Sequence, residues 1–347
     1  MSDISLLTQI AKIRNFEKGH RAAQVLNTGF RSGILTALDE SPEGMTVPEL
    51  ALKLMLYAPF VKIWCQTAYH FDLLDGDETG RFKLQPYLEE VLGLDQPFDD
   101  FSALREKGEI SPGPPILSDD PYLSFMRTGR FSGSTHSPMA SFAVSKATKT
   151  ISTVFFSMIF PDRQGLEKQL EQGCNLLDIG CGSGQLLLDL ARRFPNSRFV
   201  GADPDPYGIE KAEEAIVHFG LEDHVQVENR GGEEIDFSNQ FDLALLVLTL
   251  HEILPEVRQE SLIRINRALK NGGKLLILDY PYPGQLKDFR NPRYEYGIIE
   301  QYFEALSGIV HIDAEAQETL LSNAGFKDIE RTPVAEGGLL DLILTRK

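Results

Sequence analysis

A hydrophobic strand that runs into three alternating glycines limits what the second half of this chain can become. The run is Asn175-Leu176-Leu177-Asp178-Ile179-Gly180-Cys181-Gly182-Ser183-Gly184-Gln185-Leu186. Glycine at every second position lets a ligand lie against backbone amides where a Cβ would collide, and Leu186 to Phe194 continues at helical spacing. A strand breaking through such a turn into a helix is the opening unit of a doubly wound sheet. A nicotinamide dinucleotide fingerprint needs its third small residue one place later, and Gln185 stands there.

Beyond Gly173 strands and helices alternate, as a mostly parallel sheet requires. Strands are expected at Asn175 to Ile179, Arg198 to Ala202, Val225 to Glu228, Asp242 to Leu248 and Lys274 to Asp279, then at Asp328 to Thr332 and Leu339 to Thr345. The second strand ends in Asp203, nineteen positions after Gly184. A carboxylate there can accept hydrogen bonds from both hydroxyls of a ribose, and Pro204 beside it can pack on a base. The competing role for Asp203 is to cap the helix that follows. For Asp178 it is to bond the amides of the glycine loop.

His251, in Leu248-Thr249-Leu250-His251-Glu252, follows the fourth strand at the edge where ligands bind in this architecture. Imidazole titrates near neutral pH and can take a proton from an attacking hydroxyl. Capping the next helix, or shaping the pocket, is the alternative role.

The first half of the chain has a different organisation. Ala22, Ala23, Val25, Leu26, Phe30, Ile34, Leu35 and Leu38 recur at helical spacing, and Gly29 and Gly33 would let another helix approach closely. Thr46 and Glu49 form a capping box, and a third helix starts near Ala58-Pro59. Leu73-Leu74 and Arg81 to Leu84 flank a turn of Asp, Gly, Glu and Thr as a two-stranded wing. This pattern predicts a winged helix over residues 1–95. That segment holds 9 basic and 13 acidic side chains, the reverse of a DNA-binding footprint.

Residues 96–172 are expected to link and cap. Their start is rich in Pro, Gly and Ser, with a short helix after Pro121 and one long helix from Met139 to Ile159 carrying Phe142, Phe155 and Met158. With Tyr302, from the aromatic insertion Tyr280 to Ile312, these are the candidate acceptor-lining residues. Packing within a core is the competing role for such aromatic stripes.

Asp178 to Gly184, Asp203, the strand Phe241 to Leu248, the Asn271-Gly272-Gly273-Lys274 turn and Ala324-Gly325-Phe326 together resemble the successive motifs of class I S-adenosyl-L-methionine (SAM) dependent methyltransferases. The resemblance covers residues 173–347. With a winged helix in front, the whole chain is similar to small-molecule O-methyltransferases. The fold this implies is α/β: a Rossmann-like seven-stranded sheet, mostly parallel with the last strand antiparallel, behind a mainly α winged-helix domain. It further implies SAM as cofactor, S-adenosylhomocysteine as product, and a homodimer formed through residues 1–95. Asp178, Gly180, Gly182, Gly184, Asp203, Pro204, Leu248 and Thr249 would hold the cofactor, and Gly232 or Glu233 would face adenine. His251 would be the base, with a small organic acceptor methylated at oxygen. Methylation at nitrogen or carbon is the alternative, and a SAM-sensing winged-helix regulator is the alternative of another class.

The balance of 34 basic against 51 acidic residues gives a formal charge of −17, which disfavours nucleic-acid and membrane-surface partners. Residues 1–20 carry no continuous apolar stretch, and Cys65, Cys174 and Cys181 lack paired spacing. The expectations are a cytoplasmic protein, no disulfide framework and no metal.

Overall fold

The computed structural model describes residues 6–92, 120–131, 137–334 and 336–347. The Pro/Gly/Ser-rich stretch of the expected linker lies almost wholly outside them. The chain divides into two compact units, and the division is not simply sequential. The first gathers Met1–Ser132, Gln285–Asn291 and Ile298–Gly308; the second gathers Gly133–Gly284, Pro292–Gly297 and Ile309–Lys347.

The first unit is mainly helical and carries a small three-stranded sheet. Its helices include Leu6–Ser32, Ile34–Asp39, Val47–Leu54, Ala58–His70 and Pro121–Thr128, and its small antiparallel sheet has the order β1 (Met45–Thr46), β3 (Arg81–Leu84), β2 (Leu74–Gly76). The capping box forms: the Glu49 N–H donates to Thr46 Oγ1, and the Thr46 N–H donates to Glu49 Oε2 at 2.7 Å. Arg81 on β3 grips the same carboxylate with both terminal nitrogens, at 3.0 and 3.1 Å. One glutamate therefore ties the helix start to the wing.

Gly29 does admit a close neighbour, but from within the chain. A Cβ there would lie 2.3 Å from the Trp64 ring, whose Nε1 donates to the Val25 carbonyl at 2.8 Å. Gly33 sits at φ +82 between two helices and breaks them. Gly29 thus serves packing within the chain.

Tyr302 also belongs to this unit. It is 1% exposed, stacks on Tyr122 at 4.8 Å and on Phe60 at 5.5 Å, and donates its hydroxyl to Thr28. Phe289 is buried in the same unit, and its carbonyl meets His70 Nδ1 at 2.7 Å. The two short segments beyond residue 284 fold here because their aromatic rings find burial and their polar tips find partners. This corrects the expectation that Tyr302 lines an acceptor site.

The second unit holds a seven-stranded sheet. Its strands are β4 (Asn175–Ile179), β5 (Arg198–Asp203), β6 (Val225–Asn229), β7 (Phe241–Val247), β8 (Leu269–Asp279), β9 (Lys327–Val334) and β10 (Leu340–Arg346). Their order is β6-β5-β4-β7-β8-β10-β9, and only β10 runs antiparallel to its neighbours. Successive side chains serve opposite faces. Leu176, Leu243, Leu245 and Leu276 pack with Leu187, Leu190 and Phe199 on one face, while Leu177, Leu246 and Ile277 pack with Leu262 and Ile265 on the other.

The expected long helix from Met139 to Ile159 is broken. It appears as Pro138–Ala147, Ile151–Val154 and a π-helical turn Phe155–Ile159, followed by a short turn Phe160–Asp162. The Thr148 hydroxyl bonds back to the Val144 carbonyl, which bends a helix, and Pro161 lacks the N–H that a regular helix needs. The wider turn sends Phe155 and Ile159 into the core. Phe155, an expected acceptor contact, is therefore a core residue.

Candidate functional site

The glycine turn follows β4, with φ of +77, +53 and +71 at Gly180, Gly182 and Gly184. The space around them differs. A Cβ on Gly180 would meet Thr249 at 2.4 Å, so the first glycine is where the β7 edge presses in. A Cβ on Gly182 would meet nothing within 4 Å. The chain leaves that side of the turn open.

Two carboxylates lie behind the turn. Asp203 Oδ2 accepts the Gly182 N–H and Oδ1 accepts the Asp205 N–H, both at 2.8 Å. Asp205, not Asp203, caps the helix Pro206–Phe219, which removes the capping role considered for Asp203. Asp178 is buried and its Oδ1 has no hydrogen-bond partner. Burial, reinforced by the nearby Asp203 charge, pushes its carboxyl up to about 8. An orphaned buried oxygen beside a second carboxylate and an open glycine suits a ligand with a cationic amine and a ribose. The residues therefore fit SAM: Asp178 for the amino group, Asp203 for the ribose, Gly182 for close approach.

The remaining expected contacts divide. Leu248 is held at φ +53, a region costly for a leucine, by its N–H on the Leu278 carbonyl at 2.7 Å. That bend sets Thr249 against Gly180. Pro204 is exposed beside Asp203. Gly232 abuts Ile179 at the end of β4, whereas the Glu233 carboxylate folds over Gly231. Phe142 is exposed on the helix Pro138–Ala147. Met158 lines a shallow hollow with Arg163, Thr332 and Val334, beside β9 and not beside the glycine turn.

His251 is buried after β7, and its Nδ1 lies 2.5 Å from Oδ1 of Asp279, the last residue of β8. The His251 N–H donates to the other carboxylate oxygen, and the Tyr280 N–H donates to Oδ1. Despite burial, the His251 and His311 rings and these donors hold the Asp279 carboxyl below its usual range. An ionised Asp279 fixes the proton of His251 on Nδ1 and leaves Nε2 as the basic nitrogen. Arg258, almost wholly buried, donates from Nη2 to the carbonyls of His251 and Val310, each at 2.8 Å. It pins together the turns that carry His251 and His311, whose rings are 4.5 Å apart. Burial above all, with His251 and Arg258 as neighbours, lowers His311 to about 3, so it stays neutral.

Sequence reading missed Asp279, Arg258 and His311. For Asp279 a signal existed: an acidic residue ending the strand that follows the histidine-bearing one occupies the same sheet edge.

Glycine turn, acidic second strand and sheet order define a Rossmann-like methyltransferase fold. Residues 177–275 match the family model described as a methyltransferase domain. Ribosomal protein L11 methyltransferase of Thermosipho africanus is 33% identical over 140 residues, 40% of this chain and 47% of that protein. Carboxy-S-adenosyl-L-methionine synthase of Campylobacter hominis is 26% identical over 187 residues, 48% of this chain and 74% of that protein. Ubiquinone/menaquinone biosynthesis C-methyltransferase UbiE of a Geobacter species is 29% identical over 110 residues, 31% of this chain and 46% of that protein. The chain thus spans about half the length of two of these three relatives. Among solved structures, an O-methyltransferase family 2 protein from Planctomyces limnophilus, in complex with apigenin, superposes with a TM-score of 0.72 at 17% identity, covering 97% of this chain and 96% of that one. The SAM-dependent methyltransferase SibL, in its apo form, gives 0.52 at 20% identity, with 99% of each chain covered. These two show the fold. Residues 177–275 of this chain thus match a methyltransferase domain, and SAM is the cofactor that the glycine turn and its two carboxylates fit.

Proposed function

We propose that this protein methylates an oxygen of a small organic acceptor, with His251 as general base oriented by Asp279. SAM supplies an activated methyl carbon, so the protein's tasks are to position the acceptor and to receive its proton. The observation that carries the reading is the buried pair of His251 Nδ1 and Asp279 Oδ1 at the carboxyl edge of the sheet. A histidine held in one tautomer by an ionised carboxylate is what a hydroxyl nucleophile needs and what a carbon nucleophile often does not. The apigenin bound to the Planctomyces limnophilus protein supports flat phenols as the first acceptors to try.

The test begins with binding of S-adenosylhomocysteine, then measures methyl transfer to a panel of phenols by mass spectrometry. His251→Ala is expected to lower kcat by about 10²- to 10⁴-fold while leaving cofactor affinity unchanged. Undiminished turnover in that variant would remove the base and favour the N- or C-methylation alternative.

Homodimerisation through the first unit belongs to the same proposal. Ile13 and Phe16 stand exposed on the helix Leu6–Ser32, at 55% and 62%, as an apolar surface for a second copy. Light scattering at micromolar concentration is expected to report a dimer; a monomer would refute it. A cytoplasmic location is proposed with it. Among the described residues no helix is long and apolar enough to cross a membrane.

A further inference from the structure

The helix Pro138–Ala147 sits on its unit the wrong way round for ordinary packing. Met139, Phe142 and Val144 are exposed, while the less exposed Ser141 and Ser145 lie one helical turn apart on a shared face. An amphipathic helix held by burial turns its apolar side chains inward. Among its described residues, this one is held through hydroxyls.

The partners of those hydroxyls are specific. Ser141 Oγ donates to Asp205 Oδ2. Ser183 Oγ donates to Ser145 Oγ at 3.1 Å. Further along, Ser152 Oγ donates at 2.6 Å to Asp189, on the helix that the glycine turn opens. Ser183 lies between Gly182 and Gly184, and Asp205 is two residues beyond Asp203. One helical turn therefore grips both walls of the cofactor cradle, the glycine turn and the acidic turn. From the inner side the same walls are joined by the Gly182 N–H on Asp203 Oδ2.

The geometry points to Ser141 and Ser145 as positioning residues of the SAM site: a strap that holds the two turns at the separation the cofactor needs and so sets its residence time. This rests on the SAM-binding reading and goes beyond it, because neither serine need touch the cofactor. A cradle whose walls are already spaced spends less on ordering when ligand arrives, and loosening it acts mainly on dissociation. Ser141 meets a carboxylate and Ser145 a neutral hydroxyl, so the first bond is the stronger.

The experiment measures S-adenosylhomocysteine binding to the full chain by calorimetry and surface plasmon resonance. Wild type is compared with Ser141→Ala, Ser145→Ala and Ser145→Thr, and each ligand-free protein is melted alongside. Ser141→Ala is expected to raise the dissociation rate roughly tenfold and Ser145→Ala a few-fold. Association rates and ligand-free melting temperatures stay close to wild type, and Ser145→Thr, which keeps the hydroxyl, restores slow release. Wild-type dissociation rates in both alanine variants would overturn the strap while leaving the SAM site standing. Tighter binding in Ser145→Ala would also overturn it, by showing that the serine pair competes with the ligand. A wild-type chain that takes up no S-adenosylhomocysteine would sink the SAM reading itself, and the strap with it.

Discussion

The cofactor cradle and the histidine corner occupy the same sheet edge but are built from different materials. The cradle is made of two short runs: Gly180 to Gly184 act through backbone conformation, and the Asp203 carboxylate is held by the N–H groups of Gly182 and Asp205. The corner is made of side chains that meet only after folding, with His251 in the turn after β7, Asp279 at the end of β8 and Arg258 reaching two carbonyls from a helix. A site made of backbone is written into local sequence. One made of side chains is written into topology.

That contrast can be broken at either end. The largest effect is expected from Asp279→Asn, which frees the His251 tautomer: kcat should fall by about 10²-fold or more, with S-adenosylhomocysteine affinity unchanged by calorimetry. Equal losses in both would mean that the two regions are one. Gly182→Ala should do the converse. Its Cβ meets no protein atom, so the ligand-free chain loses only what φ +53 costs an alanine, while cofactor affinity falls by roughly tenfold or more. Gly180→Ala, forced against Thr249, should lower the melting temperature as well.

Asp178 gives the cradle a pH signature opposite in sign to that of His311 in the corner, whose lowered value makes stability rise with pH. Its carboxyl is ordinarily near 3.8 and is raised to about 8 in the fold. Between those values the folded chain keeps a proton that the unfolded chain has released, so ligand-free stability falls as pH rises. The contribution is complete below about pH 4 and gone above about pH 8. A cationic ligand amine offsets the cost of the ionised carboxylate. The gain in melting temperature on adding SAM should therefore grow from pH 5.5 to about pH 8, and Asp178→Asn should flatten that trend.

The smallest effect, outside both regions, is Gly29→Ala in the first unit. Displacing Trp64 should cost about 1–3 kcal/mol in chemical denaturation, and cofactor affinity should not move.

Legibility followed the same division. Alternating strands and helices, the glycine turn and Asp203 could be read directly, because each depends on neighbours within a few positions. The capping box at Thr46 and Glu49 was legible for the same reason. The cap at Asp205 was missed because two aspartates near one helix start look alike until one of them accepts the Gly182 N–H. The helix from Met139 was drawn too long because threonine back-bonding and a π turn leave the apolar spacing intact. Tyr302 was misplaced because an aromatic residue in an insertion says nothing about which unit will bury it. Its answer lay in Thr28, 274 positions away.

Leu248 joins what the comparison separates. Its left-handed bend swings Thr249 onto the first glycine, and three residues later the main chain reaches Asp279. The proposed donor and acceptor sites are therefore hinged on a single backbone torsion. Anyone re-engineering this scaffold for a new acceptor should treat residues 248–251 as untouchable and seek diversity elsewhere, since relaxing that kink would retune both ends of the reaction at once.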